Sequence, residues 1–345
     1  MKGVIVLVSA TLEELFQQFD AGTQTLQTAL NSSYLDAFLE NAENLIDQGR
    51  VRVEDGVPNS EDQAVLAAMY QQVLARPTDA ETMRQLVQLS MLKVTHQDQL
   101  PSNYQITPDT IGLLMAALAT RILPVDRALQ VLDLVVGSGN LLTTVMNQLQ
   151  RATDQSVQGY GVDNDEMMLA VASVSTTLQK AAVDLYHQDA ILDLSVPQVD
   201  LVVADLPVGY YPLDDNTEKY LTKAATGHSY VHHLLIEQAM NYLQPGGFGL
   251  FLVPQTLFQS AESQGLVRWI QSVAHLQGIL NLPSDLFANE KAAKSILILQ
   301  RQGGNAHQVG KVLLGSFPKL TDQSEFTRFM RQIDQWVATD LKQTK

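Results

Sequence analysis

The chain changes its apolar rhythm near residue 100. Before that point apolar side chains recur every three to four positions, as in "SYLDAFLENAENLIDQ" (33–48), the spacing that gives a helix one greasy stripe. Thr11-x-x-Glu14, Ser60-x-x-Gln63 and Thr78-x-x-Glu81 read as capping boxes that open such helices, and Gly49 reads as a C-terminal stop. These residues predict a small all-helical domain over 1–98. None of its side chains is assigned any chemistry.

From about residue 105 the pattern becomes short unbroken apolar runs: "VLDLVV" (131–136), "GYGVD" (159–163), "VDLYH" (183–187), "VDLVVADL" (199–206), "GFGLFLVP" (247–254), "GILNL" (278–282) and "SILILQR" (295–301). Helix-length amphipathic stretches such as "DEMMLAVASVSTTLQKAA" separate most of them. Apolar strands alternating with helices predict a parallel sheet covered on both faces. The last two runs are joined by too short a connection for a crossover helix, which predicts an antiparallel strand at the end. The expectation is an α/β domain over 99–320, with a seven-stranded, mostly parallel sheet closed by that antiparallel strand. An amphipathic helix over 321–345 follows, with Phe326, Phe329, Met330, Ile333, Val337 and Leu341 on one stripe.

Composition narrows the chemistry. The 345 residues contain no Cys, which removes disulfides, thiolate metal sites and Cys nucleophiles. His228, His232 and His233 lack the spacing of a zinc helix, so no metal site is expected and the three rings are placed at the surface or in a substrate pocket. No apolar run approaches a membrane span and no secretory core opens the sequence, so a cytoplasmic protein is expected. A net charge of −15 argues against a broad nucleic-acid-binding surface, although residues 291–345 hold 9 basic and 4 acidic side chains.

The chemistry-bearing residues fall where the predicted strands end. "VLDLVVGSGNLL" is a strand, a glycine turn and a helix start, in which Gly137 and Gly139 allow a ligand to approach backbone amides. A dinucleotide fingerprint would need a third glycine where Leu142 stands, and no P-loop Gly-Lys-Ser/Thr is present. Asp133, inside the strand four residues before Gly137, suits a ligand carrying a positively charged amine. Asp163 ends the second run, placed for both hydroxyls of a ribose, and Asp189-Ala190 follows the third, suited to an adenine amine. Taken singly, each acid also suits a helix cap.

The order of these segments resembles the class I S-adenosylmethionine-dependent methyltransferases, in particular the adenine-specific N6 DNA methylase branch and its stand-alone, YtxK-like bacterial members with a helical N-terminal region. "NYQITP" (103–108) resembles the segment that closes over the methionine part of the cofactor, "LDLVVGSGN" the cofactor loop, "GVDND" the ribose acid and "QDA" the adenine contact. "DLVVADLPVGYYP" (200–212) falls where the branch carries Asn/Asp/Ser-Pro-Pro-aromatic, and "LFANEKAAKSILILQR" resembles the late motif before the antiparallel strand. The resemblance implies a Rossmann-like methyltransferase fold and S-adenosyl-L-methionine as cofactor. It places Tyr104, Thr107, Asp133, Gly137, Gly139, Asn140, Asp163, Asn164, Asp189, Ala190 and Asp205 around that cofactor.

It also implies that Asp205, the Leu206 carbonyl and Pro207 hold an exocyclic amine for methylation, with DNA as substrate partner. Leu206 and Val208 replace the usual proline and aromatic residue. The expected substrate side is therefore Val208, with Tyr210 or Tyr211 supplying the missing ring, Phe287 as the opposite wall, and Lys291 on the same face. Lys294 and Arg301 are the other basic residues expected near that face. Other acceptors fit the same site: an RNA base, a protein glutamine amide or a small-molecule amine. A non-catalytic cofactor-binding protein, working or self-associating through its helical domain, is the reading from a different class. A dehydrogenase is disfavoured by Leu142.

Overall fold

The computed structural model describes residues 10–101, 104, 106–124, 126–259, 263–287, 289 and 292–342. The first four helices are α1 (Ala10–Leu30), α2 (Tyr34–Ile46), α3 (Ser60–Leu74) and α4 (Ala80–Gln97). Their caps are Ser33, Asn59 and Asp79, whose side chains accept amide hydrogens in the first turns of α2, α3 and α4. Asn59 thus lies one residue before the Ser60 expected from the sequence and Asp79 one residue after the expected Thr78, and Thr11 falls inside α1. Adjacent polar residues compete for one capping position, and an Asn or Asp oxygen wins it here. Gly49, at φ +80°, donates to the Asn44 carbonyl as the chain leaves α2.

Next come α5 (Asp109–Ile122), β1 (Leu129–Asp133), α6 (Asn140–Thr153), β2 (Val157–Asp163), α7 (Glu166–Gln179), β3 (Val183–His187) and β4 (Val199–Asp205). The chain continues through α8 (Val231–Tyr242), β5 (Leu243–Pro254), α9 (Ser263–Val273), β6 (Ala274–Asn281), β7 (Lys294–Arg301), β8 (Leu313–Ser316) and α10 (Gln323–Trp336). The sheet runs β3-β2-β1-β4-β5-β7-β6-β8. β7 is antiparallel to both neighbours, as its short connection to β6 requires, and it lies between β5 and β6 rather than at the edge. β8 adds an eighth strand, parallel to β6 at the outer edge. It has four half-exposed or exposed residues and no apolar run, so no periodicity announced it.

Alternate strand residues feed two cores. Leu201, Val203, Leu250 and Leu252 face one way, toward α5, α6 and α10. Val202, Ala204, Phe251 and Val253 face the other way, toward α8 and α9. Met330, Ile333 and Trp336 of α10, with Val337 and Leu341 directly after it, join the first core.

The helical unit packs on α7. Its core of Phe19, Phe38, Tyr70, Met91 and their neighbours is continuous with Val171 and Val174 on that helix. Most of α7 is buried, because one side packs toward the sheet and the other toward the bundle. Among the described residues no helix is long and apolar enough to cross a membrane.

Candidate active site

Strand order reverses between β1 and β4, and ligands of open α/β sheets bind at the carboxyl ends of strands at such a point. Asp133, Asp163 and Asp205 are the last residues of β1, β2 and β4, and Asp189 follows β3 by two residues. Four carboxylates therefore line four adjacent parallel strand ends. The lengths of the strands, rather than any contact between the acids, place them there.

The cofactor side is built from turns. Gly137 (φ +50°) and Gly139 (φ +78°) take left-handed conformations that bend the chain from β1 into α6. The Gly137 amide donates to Asp163 Oδ2 at 2.8 Å, which locks the turn to the next strand end. The other oxygen of Asp163 accepts the Asp165 amide at 3.0 Å. Burial raises the pKa of Asp163, opposed by these backbone hydrogen bonds. Asn164 lies in the same loop, where its carbonyl contacts His187 Nε2 at 3.2 Å. The Tyr104 phenol is bonded to Asp165, which raises its pKa and places Tyr104 beside the Asp163 loop.

Asp133 is 1 % exposed and accepts the Val135 amide at 3.1 Å. Among the described residues no Lys, Arg or His pairs with it. Burial, aided by the charges of Asp163 and Asp205, pushes its pKa up to about 8. A buried carboxylate without a cation fits a ligand that brings one. Asp189 caps its own turn through the Ile191 amide at 2.9 Å, and Ala190 is buried beside it. This donor set matches an α-ammonium, a ribose diol and an adenine amine in order along the sheet, so the residues present fit S-adenosylmethionine.

The substrate side is assembled from distant segments. Asp205 accepts the Thr107 hydroxyl on Oδ2 at 3.0 Å and the Lys294 ammonium on Oδ1. Leu206 is fully buried, and its amide donates to the Leu252 carbonyl at 3.2 Å. That bond carries the β4–β5 ladder one residue past the strand, and a proline at 206 could not make it. Pro207 and Val208 are exposed, Val208 to 64 %. Tyr210 is 60 % exposed and stacks on Tyr230, ring centroids 4.8 Å apart at 17°. A short antiparallel bridge between the same two residues ties the motif loop to the start of α8.

Several expectations are corrected. Tyr211 is buried and donates to Asp189 Oδ2 at 2.5 Å, so it supports Asp189 and is no stacking wall for a substrate. Burial first, then this bond, raises its pKa to about 12. Asn140 is nearly buried, with its amide given to the Thr107 carbonyl at 2.8 Å and its oxygen held by Arg84 at 2.7 Å. It orders the site from behind. Arg301 lies at the opposite end of the eight-residue β7 from Lys294 and donates to the Leu243 carbonyl. Phe287 is half-buried against the first core, and Lys291 lies outside the described residues.

The histidines also differ. His232 and His233 are buried with ring centroids 4.8 Å apart, and burial lowers their pKa values to about 4 and about 3. His228 is exposed and pairs with Asp214. Among the described residues no group of three potential ligands could hold a metal ion.

Sequence reasoning missed Tyr230 as a stacking partner and Arg84 altogether. Arg84 does leave one signal: with Val87, Gln88, Met91 and Val94 it falls on the buried stripe of α4.

A glycine turn at β1, successive strand-end carboxylates and an inserted antiparallel β7 define a class I S-adenosylmethionine-dependent methyltransferase. The description of the N-6 DNA methylases matches residues 101–336, and that of the YtxK N-terminal helical domain matches residues 13–94. The chain belongs to the N-6 DNA methylase family, and its cofactor is S-adenosylmethionine.

It is 36 % identical over 311 residues to the uncharacterized protein YtxK of Bacillus subtilis (strain 168), covering 90 % of this chain and 93 % of that one. A Listeria monocytogenes crystal structure, described as a candidate class I S-adenosylmethionine-dependent methyltransferase, superposes with a TM-score of 0.86 at 36 % identity. That match covers 94 % of this chain and 98 % of the other. The methyltransferase subunit of a type I restriction-modification system from Streptococcus thermophilus shares the fold, with a TM-score of 0.62 at 14 % identity over 95 % and 73 % of the two chains.

Proposed function

We propose that the protein methylates an exocyclic amine, with the N6 amine of adenine in DNA as the acceptor that best fits. The observation that carries this reading is the Asp205 carboxylate, held at the end of β4 between Thr107 and Lys294. A second lone pair on each oxygen leaves it able to accept an amine N–H. The Lys294 ammonium beside it is a donor. An acceptor next to a donor complements an amine that neighbours a ring nitrogen, as N6 and N1 do on adenine.

S-adenosylmethionine supplies a methyl group already activated by a sulfonium sulfur. The protein's part is positioning and electrostatics. Asp205 takes one N–H of the acceptor and the Leu206 carbonyl, followed by the rigid Pro207, takes the other, which turns the nitrogen lone pair toward the methyl. With the cofactor bound, Asp205 would hold the acceptor nitrogen in line with the sulfonium methyl, the departing sulfur would keep the C–S electron pair, and Asp205 would pass the surplus N–H proton to solvent. Tyr210, backed by Tyr230, offers a face for a flipped base, the part Val208 cannot play.

The acidic surface and the exposed Val208 favour a second reading, in which the acceptor is an RNA base or a protein glutamine amide. An amide presents the same donor and acceptor pair. The test is methyl transfer from labelled S-adenosylmethionine to DNA, RNA and glutamine-containing peptides, followed by mass spectrometry of the products. N6-methyladenine in DNA supports the first reading. Label in RNA or in a glutamine side chain alone replaces it with the second.

A further inference from the structure

The least expected feature of the molecule is a buried arginine in the helical unit. Arg84 is 1 % exposed, and all five of its N–H groups are engaged. Nε donates to Glu81 Oε2 at 2.9 Å, and Nη2 donates to Glu81 Oε1 at 2.5 Å and Asp109 Oδ2 at 2.9 Å. Nη1 donates to Asp109 Oδ1 at 2.6 Å and Asn140 Oδ1 at 2.7 Å. Burial alone would lower its pKa, but the hydrogen bonds and charges of Glu81 and Asp109 outweigh that and raise it.

The partners belong to three elements. Glu81 shares α4 with the arginine, Asp109 opens α5, and Asn140 opens α6 directly after the Gly137–Gly139 turn. From Asn140 the chain of bonds continues to the Thr107 carbonyl, and the Thr107 hydroxyl reaches Asp205. One guanidinium in the helical unit is thus connected, through two intermediate residues, to the carboxylate of the acceptor site.

A surface arginine left over from packing would not look like this. Burying a guanidinium with every proton satisfied fixes the relative positions of three helix starts, because its planar fork accepts only one arrangement of oxygens. Without it, nothing else among the described hydrogen bonds joins Asn140 to α4. Thr107 meets Asp205 at the end of β4, and Asn140 follows the glycine turn that is bonded to Asp163.

We propose that Arg84 is a positioning residue of the cofactor site: from α4 it holds the Thr107 segment against the start of α6, so that the helical unit completes the cleft. This inference rests on the assignment of the cleft to S-adenosylmethionine and needs no decision about the methyl acceptor.

The test is calorimetric titration of the full-length protein with S-adenosylmethionine, at a temperature well below unfolding. Arg84→Lys keeps the charge but loses the fork. Leu66→Ala opens a cavity in the same bundle, away from the network, and controls for general destabilisation. The expected result is affinity at least about tenfold weaker in Arg84→Lys, with Leu66→Ala within about twofold of wild type.

If Arg84→Lys does not fold, Glu81→Gln is the second variant. It leaves the Asp109 and Asn140 bonds in place, and about threefold weaker binding is expected. Wild-type affinity in whichever of these two variants is folded overturns the proposal, as does equal weakening in Leu66→Ala. A wild-type protein that does not bind S-adenosylmethionine would overturn the cofactor assignment itself.

Discussion

The two halves of the cleft are built in different ways. On the cofactor half, each acid is held by amides of its own strand end or the neighbouring turn: Asp133 by Val135, Asp163 by Gly137 and Asp165, Asp189 by Ile191. On the acceptor half, Asp205 is held by Thr107, 98 residues earlier in the chain, and by Lys294, 89 residues later. Local amides fix each acid of the cofactor half, while its Thr107 flank is held by Asn140 and, behind that, by Arg84. A site made of remote partners can exchange them and change its substrate. The departures from the family pattern, Leu206 and Val208, both fall in the acceptor half.

The comparison breaks most sharply at Asp205. Asp205→Ala is expected to lower methyl transfer by about 10²- to 10³-fold. Its S-adenosylmethionine affinity should stay within about threefold of wild type, measured by titration. Parallel loss of both would mean that the two halves are one unit.

Asp133 tests the other half. Asp133→Asn should weaken cofactor binding by about 10- to 100-fold, since a hydrogen bond to a charged partner contributes about 1.5–3 kcal/mol. The pH dependence follows from a pKa near 8 in the free protein. Below that pH Asp133 is protonated and must lose its proton to pair with the α-ammonium, so affinity rises with pH toward 8 and then levels off. Below pH 8 binding therefore releases a proton, visible as heat that varies with the ionisation enthalpy of the buffer. Asp133→Asn should abolish that release. In the cofactor-free protein the sign is opposite: the folded state binds the extra proton, so stability falls as pH rises from about 4 through about 8.

Lys294→Met should reduce kcat/KM for the acceptor by about tenfold, because it removes one charged hydrogen bond, while cofactor affinity is unchanged. An equal loss of cofactor affinity would place Lys294 on both halves.

The smallest effect is structural. Leu206→Pro restores the family residue but deletes the bond to Leu252 and a buried side chain, so it should lower stability by about 2–4 kcal/mol in a denaturant titration. A stable and more active variant would show that Leu206 is an adaptation for some other acceptor.

Seven of the eight strands among the described residues, the antiparallel β7 and the strand-end acids could be read from the sequence, because apolar runs and glycine turns are local statements about backbone and burial. The positions of Tyr211 and His233 could not. Nothing in "VGYYP" says which tyrosine turns inward, and only the packing of α8 and the Asp189 turn decides that Tyr211 does.

Arg84 is the clearest case. Its place on a buried stripe was present in the sequence, but an arginine there is acceptable only if five acceptors meet it. Glu81 is one turn away, whereas Asp109 and Asn140 come from other helices. The sequence by itself determined the strands, the turns and the acids that end them, since these depend on neighbours within a few residues. The tertiary structure alone decided what each acid faces, and that the helical unit reaches the cleft, because both depend on groups brought together from opposite ends of the chain.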